Sequence, residues 1–201
     1  FDSFEGGIKE IGQFLIKNQN FFVNLAIDPW LITLTQYNNL KKIIQNNKIN
    51  LIFLKSNLID EIWLNNKQEL SKPVYELSTH YTGKKRSSKI IELTQKIKDN
   101  GGDYYILFRP TGLAWLLNIR GNDLKHTPVS RSFCIISKTG EVLIFTDNNN
   151  IEDIFIKDNT IKIYNFNEFT SFIQSIKKKI FLIDDQVLPF KLYEELKRAK
   201  L

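Results

Sequence analysis

The stretch of sequence on which the fold prediction rests reads Ala114-Trp115-Leu116-Leu117-Asn118-Ile119-Arg120-Gly121-Asn122-Asp123-Leu124-Lys125-His126-Thr127-Pro128-Val129. Its first part predicts a short helix that is apolar almost all round, which other parts of the chain have to enclose. Its second part is a polar loop between a glycine and a proline. We predict that this loop is held by five anchor residues, Trp115, Leu116, Asn118, Gly121 and Pro128.

Three polar side chains in this loop are the candidate site residues: Arg120, Asp123 and His126. Because arginine can form a bidentate pair with a carboxylate, one interpretation is an internal ion pair between Arg120 and Asp123 that shapes the loop. The other is that all three form a face for a partner. His126 fits either interpretation, since the pKa of a histidine lies near neutrality.

Elsewhere in the chain, the apolar spacing alternates between that of helices and that of strands. Helical stripes are predicted around Ile8–Leu15, Tyr37–Ile44, Ile90–Ile97, Phe169–Ile176 and Leu192–Leu196. Strands are predicted at Phe21–Ile27, Asn50–Leu54, Tyr104–Phe108, Phe133–Ser137, Val142–Thr146, Ile161–Tyr164 and Ile180–Ile183. Lys138-Thr139-Gly140-Glu141 predicts a hairpin turn between two of them.

This order predicts an α/β fold with a mixed, mostly parallel sheet of about six strands flanked by helices. We expect one domain over residues 1–201, and residues 1–20 can be the tail of a preceding domain. Residues 65–86 are interpreted as a connection lying across that domain, because they keep several apolar anchors. We predict no internal repeat.

The composition is that of an ordinary globular protein, with 42% hydrophobic and 25% charged residues in 201. A single cysteine excludes an internal disulfide and favours a reducing compartment. No apolar run is long enough to cross a bilayer, so we expect a cytoplasmic protein without a membrane partner. Because the sequence has no methionine, we expect it to be part of a longer polypeptide.

The net charge of +6 has two dense sources, Lys84-Lys85-Arg86 and Lys177-Lys178-Lys179. A nucleic-acid-binding protein should instead carry a coherent basic stripe with aromatic residues between the charges. We therefore interpret both runs as solvated surface and expect no nucleic-acid partner.

The sequence predicts no metal-binding motif and no activated nucleophile. The two histidines, His80 and His126, have no ligand-spaced partners. Cys134 lies in a predicted strand among apolar residues, which favours a buried structural thiol over a nucleophile. Asp184-Asp185 follows a strand, where a solvated turn is favoured over a cation site. No catalytic residue is assigned.

Several separated segments resemble the second, creatinase-like domain of three-domain Xaa-Pro aminopeptidases (aminopeptidase P). In chain order they are Ile27-Asp28-Pro29-Trp30, then Asn57-Leu58-Ile59-Asp60-Glu61-Ile62-Trp63 with Pro73 downstream, then Tyr81-Thr82-Gly83 with Lys89, then Trp115 to Asp123 followed by His126-Thr127-Pro128-Val129. The similarity covers most of the chain. Two departures are Lys85, where the family often has serine, and Ser130-Arg131-Ser132, which replaces an apolar run.

The resemblance implies a creatinase/prolidase-like N-terminal domain that does not itself catalyse. In that family a C-terminal pita-bread domain of the same polypeptide holds two metal ions, commonly manganese, and removes an N-terminal residue that precedes proline. This chain is then expected to hold no cofactor, to be inactive alone, to pack on that catalytic domain, to restrict access of proline-containing peptides and to support a homodimer.

By the same resemblance, Arg120, Asp123 and His126 are placed on the face turned toward the catalytic domain. The alternative is a stand-alone, non-enzymatic binding module of the same fold, which would use a basic surface to bind an acidic partner.

Overall fold

The computed structural model describes residues 6–20, 24–63, 73–155 and 158–198. The chain divides into two compact units. The first comprises residues 1–66 and 185–194, and the second comprises residues 67–184 and 195–201. The expectation of one domain over residues 1–201 stays a prediction.

The first unit contains a β-α-β arrangement. Its elements are α1 (Ile8–Lys17), β1 (Asn24–Ile27), α2 (Leu34–Ile44), β2 (Asn50–Phe53) and α3 (Leu58–Ile62). Strands β1 and β2 pair in parallel, with Asn24 opposite Asn50 and Ile27 opposite Phe53. Helix α2 connects them, as parallel pairing requires. The predicted strand at Phe21–Ile27 is confirmed from Asn24 onward, and residues 21–23 lie outside the described ranges.

The helix starts in this unit follow from local chemistry. Thr33 caps α2, since its hydroxyl accepts from the Gln36 amide while the Gln36 side chain accepts from the Thr33 amide. Asn57 caps α3, with its Oδ1 2.8 Å from the Ile59 amide nitrogen.

The second unit is built around a five-stranded sheet. Its strands and helices are β3 (Val74–Glu76), α4 (Thr79–Thr82), α5 (Arg86–Asp99), β4 (Tyr104–Leu107), α6 (Pro110–Leu117), β5 (Ile119–Gly121), β6 (Ser132–Ser137), β7 (Val142–Thr146), α7 (Glu152–Phe155), β8 (Ile161–Tyr164), α8 (Glu168–Ser175) and β9 (Phe181–Leu182). A short 3₁₀ turn, Asn149–Ile151, precedes α7. Helix α9 (Phe190–Arg198) begins in the first unit and ends in the second.

The strand order in the main sheet is β8-β7-β6-β4-β9. The two outer pairs are parallel and the two inner pairs are antiparallel. Strands β3 and β5 form a separate antiparallel pair. This mixed sheet flanked by helices confirms the predicted α/β fold class. The main sheet has five strands with equal numbers of parallel and antiparallel pairs, whereas a mostly parallel sheet of about six strands was predicted.

The central strands β6 and β7 are buried along their whole lengths because both faces of the sheet are covered. Alternate side chains point to opposite faces. Cys134, Ile136, Val142 and Ile144 belong to one core cluster together with residues of α5 and α6. On the other face, the ring of Phe169 from α8 lies edge-on to Phe133 and Phe145.

The predicted hairpin is confirmed, with Gly140 at φ 95° in its turn, a conformation that favours glycine. Two short strands were not predicted. Residues 65–86 were interpreted as a connection lying across the domain, and their described part contains β3 and α4. Strand β5 lies within the predicted loop. None of the helices in the described ranges is long and apolar enough to span a membrane.

Candidate functional site around the loop that follows helix α6

Helix α6 ends at a pair of polar side chains contributed by different parts of the sequence. Pro110 occupies the first turn, where a missing amide proton costs nothing. At the other end, Asn118 adopts a left-handed conformation with φ 57° and ψ 38° and so stops the helix. Its Nδ2 donates to the carbonyl of Lys84 over 2.9 Å.

Lys89 reaches this helix end from α5. Its Nζ donates to the Trp115 carbonyl and to Asn118 Oδ1, both over 2.7 Å. It also lies 4.4 Å from the centre of the Trp115 ring. The residue is 3% exposed. Burial lowers the pKa of the Lys89 ammonium, and the cations Arg120 and Lys84 lower it further. A cation at a helix C-terminus complements the helix dipole, so Lys89 fixes the point where α6 turns into the loop.

Arg120 points back toward the same helix end. Its Nη1 donates to the carbonyls of Ile119 over 2.7 Å and of Ala114 over 3.2 Å. The side chain is half-buried. Arg120 and Asp123 form no ion pair with each other in the described structure, so the internal salt bridge that was one interpretation of these residues is not formed.

Asp123 is the residue that holds the loop closed. Its Oδ2 accepts from Ser130 Oγ over 3.0 Å and from the Arg131 amide over 2.8 Å. Asn148 Nδ2 lies 3.1 and 3.2 Å from the two carboxylate oxygens. A buried carboxylate is stable when hydrogen-bond donors surround it, and here the donors come from the C-terminal end of the loop and from the segment after β7.

Gly121 is required by a close approach of two backbone segments. A Cβ at this position would lie 2.7 Å from the Ser130 backbone nitrogen and 3.0 Å from its Cα. The Gly121 amide donates to the Pro128 carbonyl over 3.4 Å. Pro128 itself is exposed, so it contributes to the loop through its carbonyl and not as a buried anchor.

The tip of the loop is formed by Leu124, Lys125 and His126, and all three are exposed. His126 has a φ of 66°, which is unusual for a residue with a side chain. The Thr127 amide donates to the Leu124 carbonyl and closes the turn. Below, these three residues are called the loop tip.

The structure gives the three candidate site residues different surroundings. Arg120 binds carbonyls at the end of α6, Asp123 is enclosed by its donors, and His126 stands on the exposed loop tip. Their role as a shared face toward a partner stays a prediction.

The predicted anchor residues also differ from one another, in how far each is buried. Leu116 is fully buried and Asn118 is 3% exposed, but the Trp115 side chain is 58% exposed. The expectation that the whole helix is enclosed is therefore wrong at Trp115, although Lys89 lies over its ring.

The sequence identified Lys89 only as part of a motif. It did not indicate that Ser130 and Asn148 donate hydrogen bonds to Asp123. Lys89 lies 26 residues before Trp115, and Asn148 lies 25 residues after Asp123. No local spacing rule connects residues so far apart.

A groove of about 650 Å³ is lined partly by Lys85, Arg86, Glu76 and Asp158. Arg86 crosses it, lying 3.0 Å from a Glu76 oxygen and 3.5 Å from an Asp158 oxygen. Lys84 in the same basic run pairs with Glu92. Two of the three cations of this run are therefore neutralised by carboxylates of the same chain.

No group of three or more His, Cys, Asp and Glu side chains that could hold a metal ion is found within the described ranges. Cys134 is a free, fully buried thiol, as predicted, and burial raises its pKa, which keeps the sulfur protonated.

Comparison with known proteins finds that this chain is similar to part of several aminopeptidases. Over 138 residues it is 30% identical to aminopeptidase P2 of Arabidopsis thaliana, which covers 67% of this chain and 19% of that protein. It is 28% identical over 155 residues to Xaa-Pro aminopeptidase 1 of Dictyostelium discoideum, covering 73% of this chain and 25% of that protein. The chain thus spans less than a third of the length of these curated relatives.

The fold has a counterpart among solved structures. An X-prolyl aminopeptidase from Caenorhabditis elegans, described as a cytosolic enzyme with a di-nuclear active site, superposes with a TM-score of 0.74 at 24% identity, covering 87% of this chain and 28% of that chain. The sequence profile of the creatinase/prolidase N-terminal domain matches residues 65–201, which is more than half of the chain. The chain therefore belongs to the creatinase/prolidase N-terminal domain family.

Proposed function

We propose that this chain is a non-catalytic domain of a cytoplasmic Xaa-Pro aminopeptidase. In this proposal the catalytic part, with its two divalent metal ions, belongs to another segment of the same polypeptide. The chain packs on that catalytic domain, restricts its entrance to proline-containing peptides and supports a homodimer.

The observation that carries the proposal is the family match over residues 65–201, combined with similarity to aminopeptidases that are several times longer than this chain. A domain that matches only a non-catalytic part of such relatives is expected to act through its surfaces. Identification of the metal as manganese is part of the proposal.

We assign the contact with the catalytic domain to the loop tip, with Arg120 and Asp123 as positioning residues. Asp123 closes the loop through its hydrogen bonds to Ser130 and Arg131. Arg120 joins the loop to the end of α6. Because these two side chains are used internally, His126 and its exposed neighbours are the groups free to contact a partner.

The alternative of a stand-alone module that binds an acidic partner has less support. Its basic surface would centre on Lys84-Lys85-Arg86, but Lys84 and Arg86 already pair with carboxylates of this chain. Such exposed or half-exposed pairs lower the local positive potential that would attract an acidic partner.

The test uses the parent polypeptide with Leu124→Ser, Lys125→Ala and His126→Ala combined. We expect a several-fold loss of kcat/KM toward Xaa-Pro peptides or a weaker homodimer, measured by peptide hydrolysis and analytical ultracentrifugation. The triple variant should fold normally, because all three side chains are exposed. Lys98→Ala, an exposed position on α5, is the matched control.

Unchanged kinetics together with unchanged dimerisation would show that the loop tip is only structural. A second experiment adds manganese to the isolated 201-residue chain. We expect no hydrolysis of Xaa-Pro peptides, and hydrolysis by this chain alone would contradict the proposed division of labour.

A further inference from the structure

Helix α5 ends at an asparagine that is followed by two glycines, Asn100-Gly101-Gly102. This is the only Asn-Gly dipeptide among the 201 residues. An asparagine side chain is attacked by the backbone most readily when glycine follows it, because glycine has no side chain to block the approach. Asn100 and Gly101 are both exposed, so water reaches them. The segment therefore has the chemistry of a spontaneous deamidation site.

Deamidation converts an asparagine in two steps that need only water. In the first step the amide of Gly101 gives its proton to hydroxide, and its nitrogen attacks Cγ of Asn100. The Cγ–Nδ2 bond breaks, the leaving nitrogen takes a proton from water and departs as ammonia, and a five-membered succinimide ring remains. In the second step water adds to either carbonyl of the ring and opens it to aspartate or isoaspartate. The net reaction consumes one water and releases one ammonia.

The end of α5 forms a capping motif that binds the attacking group of this reaction. The Gly101 amide donates to the Lys98 carbonyl over 2.9 Å, and the Gly102 amide donates to the Ile97 carbonyl over 2.9 Å. Gly101 is left-handed, with φ 70°. This pattern of two hydrogen bonds around a left-handed glycine is a Schellman motif. The proton that Gly101 has to lose is thus held by the helix.

Asn100 itself is held in a conformation from which the ring cannot close. Its ψ of 11° places the Gly101 nitrogen beside the backbone nitrogen of Asn100 and away from the side chain. The nitrogen that has to leave, Nδ2, donates to the Lys96 carbonyl over 2.8 Å. Ring closure therefore requires rotation about the Cα–C bond of Asn100 and rupture of the motif, which is a local opening of the last helical turn.

We propose that Asn100-Gly101 is a deamidation site whose rate is controlled by the Schellman motif of α5, so that the reaction proceeds only while the last turn of the helix is open. The rate in the folded chain then equals the rate in an unstructured segment multiplied by the fraction of time that the turn is open. This inference does not depend on the proposed function, and neither can fail through the other.

The products of the reaction do not fit the motif as the asparagine does. A carboxylate has no hydrogen to donate to the Lys96 carbonyl, and its charge lies at the negative end of the helix dipole. Isoaspartate also lengthens the main chain by one carbon. Gly102 has little room for such a shift, since it is buried and a Cβ on it would lie 2.6 Å from Cγ of Leu182. Deamidation should therefore weaken the end of α5 irreversibly.

The test compares the folded 201-residue chain with a synthetic peptide of residues 96–104 at slightly alkaline pH. Peptide mapping by mass spectrometry measures aspartate and isoaspartate at Asn100 over time, and hydrogen exchange measures the protection factor of the Gly101 amide. We expect the peptide to react at least about tenfold faster than the folded chain, and the ratio of the two rates to match the protection factor within a factor of about five. A smaller difference, or a ratio outside this range, would overturn the proposal.

A matched pair of glycine variants gives a second readout. Gly102→Ala and Gly112→Ala place a new methyl carbon 2.6 and 2.8 Å from a leucine carbon, respectively, but only the first lies beside the motif. We expect Gly102→Ala to raise the deamidation rate at Asn100 and the exchange rate of the Gly101 amide by the same several-fold factor, and Gly112→Ala to raise neither. A deamidation rate that does not follow the Gly101 exchange rate would overturn the proposal. If Gly102→Ala does not fold, the comparison of the wild-type chain with the peptide decides alone.

Discussion

The ammonium group of Lys89 lies 2.7 Å from Oδ1 of Asn118, the left-handed residue that ends helix α6. The same ammonium binds the Trp115 carbonyl. The buried ammonium of Lys89 thus donates both to a carbonyl at the C-terminal end of α6 and to the side chain of Asn118, which ends that helix. The loop that carries the proposed contact residues begins immediately after this point, so its direction depends on Lys89.

Lys89→Met should destabilise the second unit by about 1–3 kcal/mol, because the Trp115 carbonyl and Asn118 Oδ1 lose their buried donor. Equilibrium unfolding in urea measures this change. Lys98→Met on the same helix is the control, since Lys98 is exposed. Equal stabilities of the two variants would contradict the capping role of Lys89.

Asp123→Asn should loosen the loop and lower the free energy of unfolding by about 1–3 kcal/mol. The amide keeps one oxygen but places an NH₂ group among the donors of Ser130, Arg131 and Asn148. Urea unfolding measures the change in the free energy of unfolding. Hydrogen exchange of the Arg131 backbone amide measures the loosening of the loop. Asn122→Ala, at an exposed neighbouring position, should change neither.

Gly121→Ala should cost about 1–3 kcal/mol, because the new methyl group meets backbone atoms of Ser130 that no side-chain rotation can move away. Thermal and urea unfolding measure the loss. Gly7→Ala is a suitable comparison, since its Cβ would lie 3.7 Å from the nearest atom, a Glu10 side-chain oxygen. A Gly121→Ala protein as stable as the wild type would show that the two backbone segments are not in tight contact.

Asp103→Asn tests an electrostatic contribution that depends on pH. The Lys138 ammonium, 2.8 Å from Oδ1, and the Ile180 amide, 3.0 Å from Oδ2, lower the pKa of the Asp103 carboxyl below its ordinary value of 3.8. The folded state therefore favours the ionised form. The resulting stabilisation is fully present above about pH 4 and is lost as the pH falls through the lowered pKa.

We therefore expect Asp103→Asn to lower the unfolding midpoint at pH 7 and to lose most of this difference at pH 2. Calorimetry at the two pH values measures it. Asp147→Asn, at an exposed position, is the matched control. A difference between wild type and Asp103→Asn that stays constant from pH 7 to pH 2 would exclude the electrostatic explanation.

Much of the secondary structure was predictable because its signals are local. The stripe Ile90, Leu93 and Ile97 identified α5, and the apolar runs on either side of Gly140 identified β6 and β7. Strands β3 and β5 were missed because three residues are too few to show a two-residue period. Their pairing is between positions distant in sequence, such as Tyr75 and Arg120.

The candidate site was predictable in position but not in organisation. The sequence identified the loop and its polar residues, and it correctly expected a buried Cys134. It favoured an ion pair between Arg120 and Asp123, which are close in sequence. In the folded chain both residues have other partners. Arg120 donates to the nearby carbonyls of Ile119 and Ala114. Asp123 accepts from Ser130 and from Asn148, a residue of a segment distant in sequence.

By itself, the sequence determined the fold class and the family, since both depend on local periodicity and on motifs that occur in a fixed order. Only the tertiary structure decided that Trp115 is more than half exposed and that Lys89, a residue of α5, binds the C-terminal end of α6. The physical reason is that burial and hydrogen bonding are properties of the surroundings of a residue. Those surroundings are supplied by parts of the chain that no local pattern connects.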